Sequence, residues 1–133
     1  MSPELEIVKE WLTLAAEDLD AARELLALAR PHLRAAAFFC QHGAEKALKS
    51  VLQFHYVRPP KTHALGELLD LATTVEQAFA RFKFISWVTH FAVNVRYPGL
   101  EPGPKRERVE TALDQAEQVF RFVLSHIPPE AHP

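Results

Sequence analysis

The chain is short of the residues that staple, hinge or embed a fold. Its one cysteine, Cys40, has no partner for an intramolecular bridge, which excludes a disulfide scaffold and fits a reducing, cytoplasmic setting. Four glycines scattered at 43, 66, 99 and 103 leave no glycine-rich phosphate loop. No apolar run approaches the ~18 residues of a membrane span, and the opening Met-Ser-Pro-Glu-Leu-Glu lacks the basic start and apolar core of a signal peptide. Excess charge is missing too: 15 basic and 17 acidic residues give a net charge of −2. A polyanion would therefore have to be bound by a local basic patch. Strand signals are also absent, because no segment sustains period-two alternation and residues 82–95, richest in β-formers, lack flanking hairpin turns.

What is present is helical periodicity. The 133 residues, 48% hydrophobic and 24% charged, have the length and composition of one domain, 1–133, with its core over about 5–127. Leu5, Leu12, Leu19 and Leu26 recur every seven residues, with Val8, Ala15, Ala22 and Ala29 between them, which predicts a first helix over 5–29. Ser2 before Pro3 is its predicted cap. Trp11, Leu14, Leu25 and Leu28 form a second apolar line, which points to two neighbours or a dimer. A second helix, 33–56, carries Cys40, Ala44, Ala47, Val51 and Phe54 on one face and the polar line His42, Lys46, Lys49, Gln53 opposite. Two prolines, 59 and 60, end it. A short third helix is predicted from His63 with Thr62 as cap, and Thr73-Thr74 as a break with a capping box. A fourth helix then runs to about 95 through Phe82, Ile85, Val88, Ala92 and Val95. Pro98, Gly99, Pro102, Gly103 and Pro104 make a turn-rich loop. The fifth helix, 104–126, shows one stripe of Val109, Leu113, Ala116, Phe120, Val123 and Ile127, and residues 128–133 are expected to fray. The predicted fold is all-α: five helices in an antiparallel up-and-down bundle.

Seven histidines show no ligand spacing: His-Glu-x-x-His, Cys-x-x-Cys and Glu-x-x-His are all lacking, so neither a metal nor a cofactor is expected. Cys40 lies on an apolar helix face, where a thiol is inert. Three places carry chemistry. Lys46 and Lys49 lie one turn apart, suited to phosphate or to a solvated ion-paired face. Lys61-Thr62-His63 puts an imidazole at a helix start. Lys83, Trp87, His90, Asn94 and Tyr97 share one face of an ideal fourth helix, with Arg96 beside them. Such a polar-aromatic stripe suits a stacked base or a dimer interface equally.

Together, Ala44-Glu45-Lys46-Ala47-Leu48-Lys49, Thr62-His63-x-Leu65 and Arg96-Tyr97-Pro98 resemble the HEPN family, the higher-eukaryote and prokaryote nucleotide-binding domain, from Trp11 to about Leu124. The resemblance implies an all-α bundle that forms a homodimer. It also implies pairing with a minimal nucleotidyltransferase in a toxin–antitoxin-like module. Many members are metal-independent ribonucleases that use an arginine followed four to six residues later by a histidine. Here the first histidine after Arg96 is His126; Arg58 and His63 have the spacing but lie between the second and third helices. The chain is thus read as a nucleotide- or RNA-binding module contacting its ligand through Lys46, Lys49, His63, His90, Asn94, Arg96 and Tyr97. The alternatives are a metal-independent ribonuclease and a structural helical dimer.

Overall fold

Why α1 and α2 lie so close is written in small residues. In the computed structural model, which describes residues 1–99 and 103–133, α1 spans Pro3–Ala27 and α2 spans Leu33–Phe54. A Cβ on Gly43 would sit 2.6 Å from Leu19 Cδ2 and 2.7 Å from its Cγ, so the missing side chain of Gly43 leaves the space that the buried Leu19 of α1 fills against α2. The heptad seam is buried as predicted through Val8, Leu12, Ala15, Leu19, Ala22 and Leu26, and Ser2 Oγ caps α1 by accepting from Leu5 N at 3.2 Å. Leu14 and Leu28 of the second apolar line stay exposed. Three further α-helices complete the all-α bundle: α3 Leu65–Val75, α4 Trp87–Asn94 and α5 Arg106–Leu124. α2 is the central one, packed on by α1, α3, α4 and α5. No strand occurs among the described residues, and none of their helices is long and apolar enough to cross a membrane.

Four local expectations need correction. The predicted long fourth helix is a 3₁₀ helix, Gln77–Ser86, followed by the short α4. Its buried residues Phe79, Phe82 and Ile85 repeat every three, the 3₁₀ period, so this winding aims all three inward. Phe122 of α5 receives Phe79 edge-on at 5.0 Å and Phe82 at 4.9 Å. Second, Thr73 and Thr74 do not break α3; their hydroxyls donate back to the carbonyls of Leu69 and Leu71. Glu76, not a threonine, accepts from Ala78 N and caps the next element. Third, Thr62 does not cap α3, which begins at Leu65. Its Oγ1 accepts from Ala64 N, while Leu65 N reaches Thr89 Oγ1 of α4 at 3.1 Å. Finally, the C-terminal tail is docked: Ala131 is fully buried against the bundle, and His132 Nε2 lies 2.9 Å from the carbonyls of Leu124 and Ile127. In the proline-glycine loop, Pro102 lies outside the described residues.

α2 ends in a left-handed closure. Val57 N donates to Leu52 O at 2.8 Å and Tyr56 N to Gln53 O at 3.1 Å, which places Tyr56 at φ 59°. Glycine ordinarily fills this position; a bulky residue there is strained by about 1–2 kcal/mol.

Candidate functional site

The polar line of α2 faces other elements, because α2 is covered on nearly every side. Glu45 is 4% exposed and Lys49 6%; Lys49 Nζ donates to Glu45 Oε2 at 3.0 Å and sits 5.8 Å from the Trp11 ring centroid. Half-buried Lys46 donates to Asp18 Oδ2 of α1 at 2.7 Å. Both ammonium groups are held by carboxylates of their own chain.

Glu45 also receives the imidazole of His63. Its two oxygens lie 3.1 and 3.2 Å from His63 Nδ1. A carboxylate only accepts, so Nδ1 carries the hydrogen and Nε2 of the neutral ring is left as an acceptor. The His63 side chain is 72% exposed, while its anchor is buried. A second imidazole, His42, places Nδ1 3.9 Å from Glu45 Oε1 and its ring 6.0 Å from that of His63. Burial opposes ionisation of Glu45, but the hydrogen bonds from Lys49 and His63, with the Lys49 charge, outweigh it and hold the carboxyl below its ordinary value. Burial pushes His42 below the ordinary imidazole value of 6.5, against the pull of Glu45. Beneath them Gln41 Nε2 donates to the His63 backbone carbonyl, which pins the α2–α3 connection to α2.

At the other end of this line lies Arg96, just beyond α4. Its guanidinium stands 4.8 Å from the Phe38 ring centroid and 5.9 Å from that of Tyr97. No carboxylate of the described residues pairs with it. Phe38 in turn packs on His42 at 4.1 Å. Phe38, Gln41, His42, His63, Thr89 and Arg96 line a cavity of about 220 Å³. A larger depression of about 580 Å³ along Glu6, Lys9, Glu10 and Thr13 of α1 is shallower and gathers no comparable set of groups.

Of the seven residues singled out by sequence, the fold thus brings His63 and Arg96 into one cavity. Lys46 and Lys49 are adjacent but paired. Tyr97 borders Arg96, while exposed His90 and half-buried Asn94 are not among the cavity's lining residues. The predicted stripe is dispersed by the 3₁₀ turn: Lys83 bridges to Asp70 at 2.6 Å, and Trp87 donates to Gln115 of α5 at 2.8 Å beneath the Arg108 guanidinium. Glu45, His42 and Gln41, which lie in the α2 stretch singled out by sequence but were given no binding role there, join the site with Phe38. The available signal was local, a glutamate three residues after His42 and four before Lys49. Among the described residues no three His, Cys, Asp or Glu side chains are placed to hold a metal. The cation at Glu45 is Lys49. Cys40 is buried, its thiol pushed up to about 12 by that burial.

The family model of the HEPN domain matches residues 8–127. The chain belongs to the HEPN family. The HEPN bundle is also that of the crystal structure of an archaeal HEPN homologue. That protein is similar at 22% identity and a TM-score of 0.71 over 91% of this chain and 98% of the other, a likeness of fold. No curated protein matches the chain. In this HEPN chain the histidine that follows Arg96 in sequence, His126, packs on Phe122 at 4.4 Å and Phe79 at 5.6 Å, serving the core at the end of α5.

Proposed function

We propose that this HEPN chain binds the phosphate-bearing part of a nucleotide or RNA in the cavity between α2 and the end of α4. One observation carries the reading: Arg96 is held by two aromatic faces and by no acid. A ring face positions a guanidinium without consuming any of its five N–H donors. The fork is therefore set in place and open to a phosphate, which it can grip in bidentate fashion. Exposed His63, oriented from behind by Glu45, supplies a second polar contact at the same cavity. In this reading the chain forms one cytoplasmic domain, works as a homodimer and pairs with a minimal nucleotidyltransferase in a toxin–antitoxin-like module. The experiment is a calorimetric titration of nucleotides into the wild type, Arg96→Ala and His63→Ala. Binding that weakens at least about tenfold in Arg96→Ala and falls with rising salt supports the reading; equal affinities in all three proteins contradict it.

A second reading is favoured by the His63–Glu45 geometry. A base oriented by a buried carboxylate is the arrangement that acid–base catalysis needs. His63 Nε2 would take the proton of a ribose 2′-hydroxyl, whose oxygen attacks the adjacent phosphorus. Arg96 would stabilise the charge developing on the phosphorane. The 5′-oxygen leaves, taking a proton from solvent, and a 2′,3′-cyclic phosphate remains. Chelator-resistant cleavage of RNA, lost in His63→Ala and in Arg96→Ala, would establish this activity.

A further inference from the structure

The connection between α2 and α3 presents exposed cations and rings with no acid among them. Residues 54–63 contain no acid, and His55, Tyr56, Arg58, Lys61 and His63 are all exposed. Among the described residues neither Arg58 nor Lys61 has an ion-pair partner. Tyr56 is 77% exposed, stacks on no ring of the described residues, and occupies the left-handed position at φ 59°. Glycine would close the helix there without strain. A strained residue whose ring is mostly exposed is a candidate for an external contact.

The path of the segment gives the contact a direction. It leaves α2 at Phe54 and returns to Glu45 and Gln41 through His63. It therefore runs back along about nine residues of α2, some 14 Å at the α-helical rise, and ends at the Arg96 cavity. Pro59 and Pro60 stiffen it. We propose that this connection binds single-stranded RNA, with Tyr56 stacking a base and Arg58 and Lys61 contacting phosphates, and delivers the strand to the Arg96–His63 cavity. The inference rests on the cavity as a phosphate site and adds that its ligand is an oligonucleotide. Aromatic rings interleaved with unpaired cations are what sequence-tolerant single-strand binding uses.

The test is fluorescence anisotropy with a labelled, unstructured RNA of about 12 nucleotides, alongside a labelled mononucleotide and a thermal melt. The proteins are wild type, Tyr56→Gly and Arg58→Ala/Lys61→Ala. The wild type should bind the oligonucleotide at least about tenfold tighter than the mononucleotide. Tyr56→Gly should weaken RNA binding roughly 5- to 100-fold, the range for a lost base–ring stack, while its melting temperature stays level or rises. The double variant should lower the log–log salt slope by about 1.4, the value for two single-strand phosphates, with mononucleotide affinity unchanged. Oligonucleotide binding unaltered by the variants, or a lower melting temperature in Tyr56→Gly, would overturn the proposal while leaving the cavity intact. Polyglutamate displacing RNA as well as unlabelled RNA does would assign the strip to an acidic protein and overturn it too. Failure of the wild type to bind either probe would remove both readings at once.

Discussion

The two ends of the α2 polar line are opposites. Around Glu45 both ammonium groups are matched, Lys49 on Glu45 and Lys46 on Asp18, and Glu45 also accepts from His63. Around Phe38, two turns earlier, Arg96 is held only by ring faces and is open to solvent. The contrast teaches that the number of cations on a face says little about anion binding. A lysine buried beside a glutamate is part of the fold, because desolvating it is tolerable only while it is paired. A guanidinium on a ring face keeps all its donors. The Glu45 cluster therefore acts as the anchor that fixes His63, and the Arg96 end as the surface that meets a ligand.

The comparison breaks first at Glu45. Glu45→Ala strands a buried ammonium and should cost about 3–5 kcal/mol, read by chemical denaturation; a loss below about 1 kcal/mol would show the cluster to be ornamental. Acid should erode the same end in two steps. His42 titrates below 6.5 in the fold, so the unfolded chain takes up its proton first and stability starts to fall as pH drops below 6.5. Glu45 lies below its ordinary 4.5, so its contribution is intact above 4.5 and disappears as pH falls through the folded value. A melting temperature independent of pH between 7 and 3 would deny both. Lys46→Met, which leaves mostly buried Asp18 without its partner, should cost about 1–3 kcal/mol. Arg96→Ala should have the smallest effect on stability, under about 1 kcal/mol for an exposed cation–π contact. A larger loss would move Arg96 to the structural side of the comparison.

Much of the bundle was legible where one period governs a whole helix. The α1 seam and the α5 stripe are of that kind: Val8 to Leu26 are buried in the order their spacing dictates, and so are Val109, Leu113, Ala116 and Val123, with Phe120 of the stripe only half-buried. The region from 73 to 95 misled because two periods meet there. Phe79, Phe82 and Ile85 repeat every three and wind as 3₁₀, whereas an α-helical wheel drawn through Lys83 and Trp87 assigns them a common face they do not share. Ala131 was unreadable for another reason, since a small residue near a terminus has no periodicity to reveal its burial. In the site, His63 and Arg96 stood out as functional groups at helix boundaries. The commitment of Lys46 could not be read, because Asp18 lies 28 residues away on another helix. Glu45 was visible as the partner of Lys49, but its burial comes from α2 being the central helix, a property of the assembled bundle.

The central claim is that the acid-free guanidinium of Arg96 binds and the carboxylate-paired ammonium groups do not. It is tested most directly by titrating one labelled nucleotide into Arg96→Ala and Lys46→Met under identical buffer conditions. The account predicts that Arg96→Ala loses at least about tenfold in affinity, while Lys46→Met stays within about twofold of wild type. The reverse order, with Lys46→Met crippled and Arg96→Ala unaffected, would contradict it.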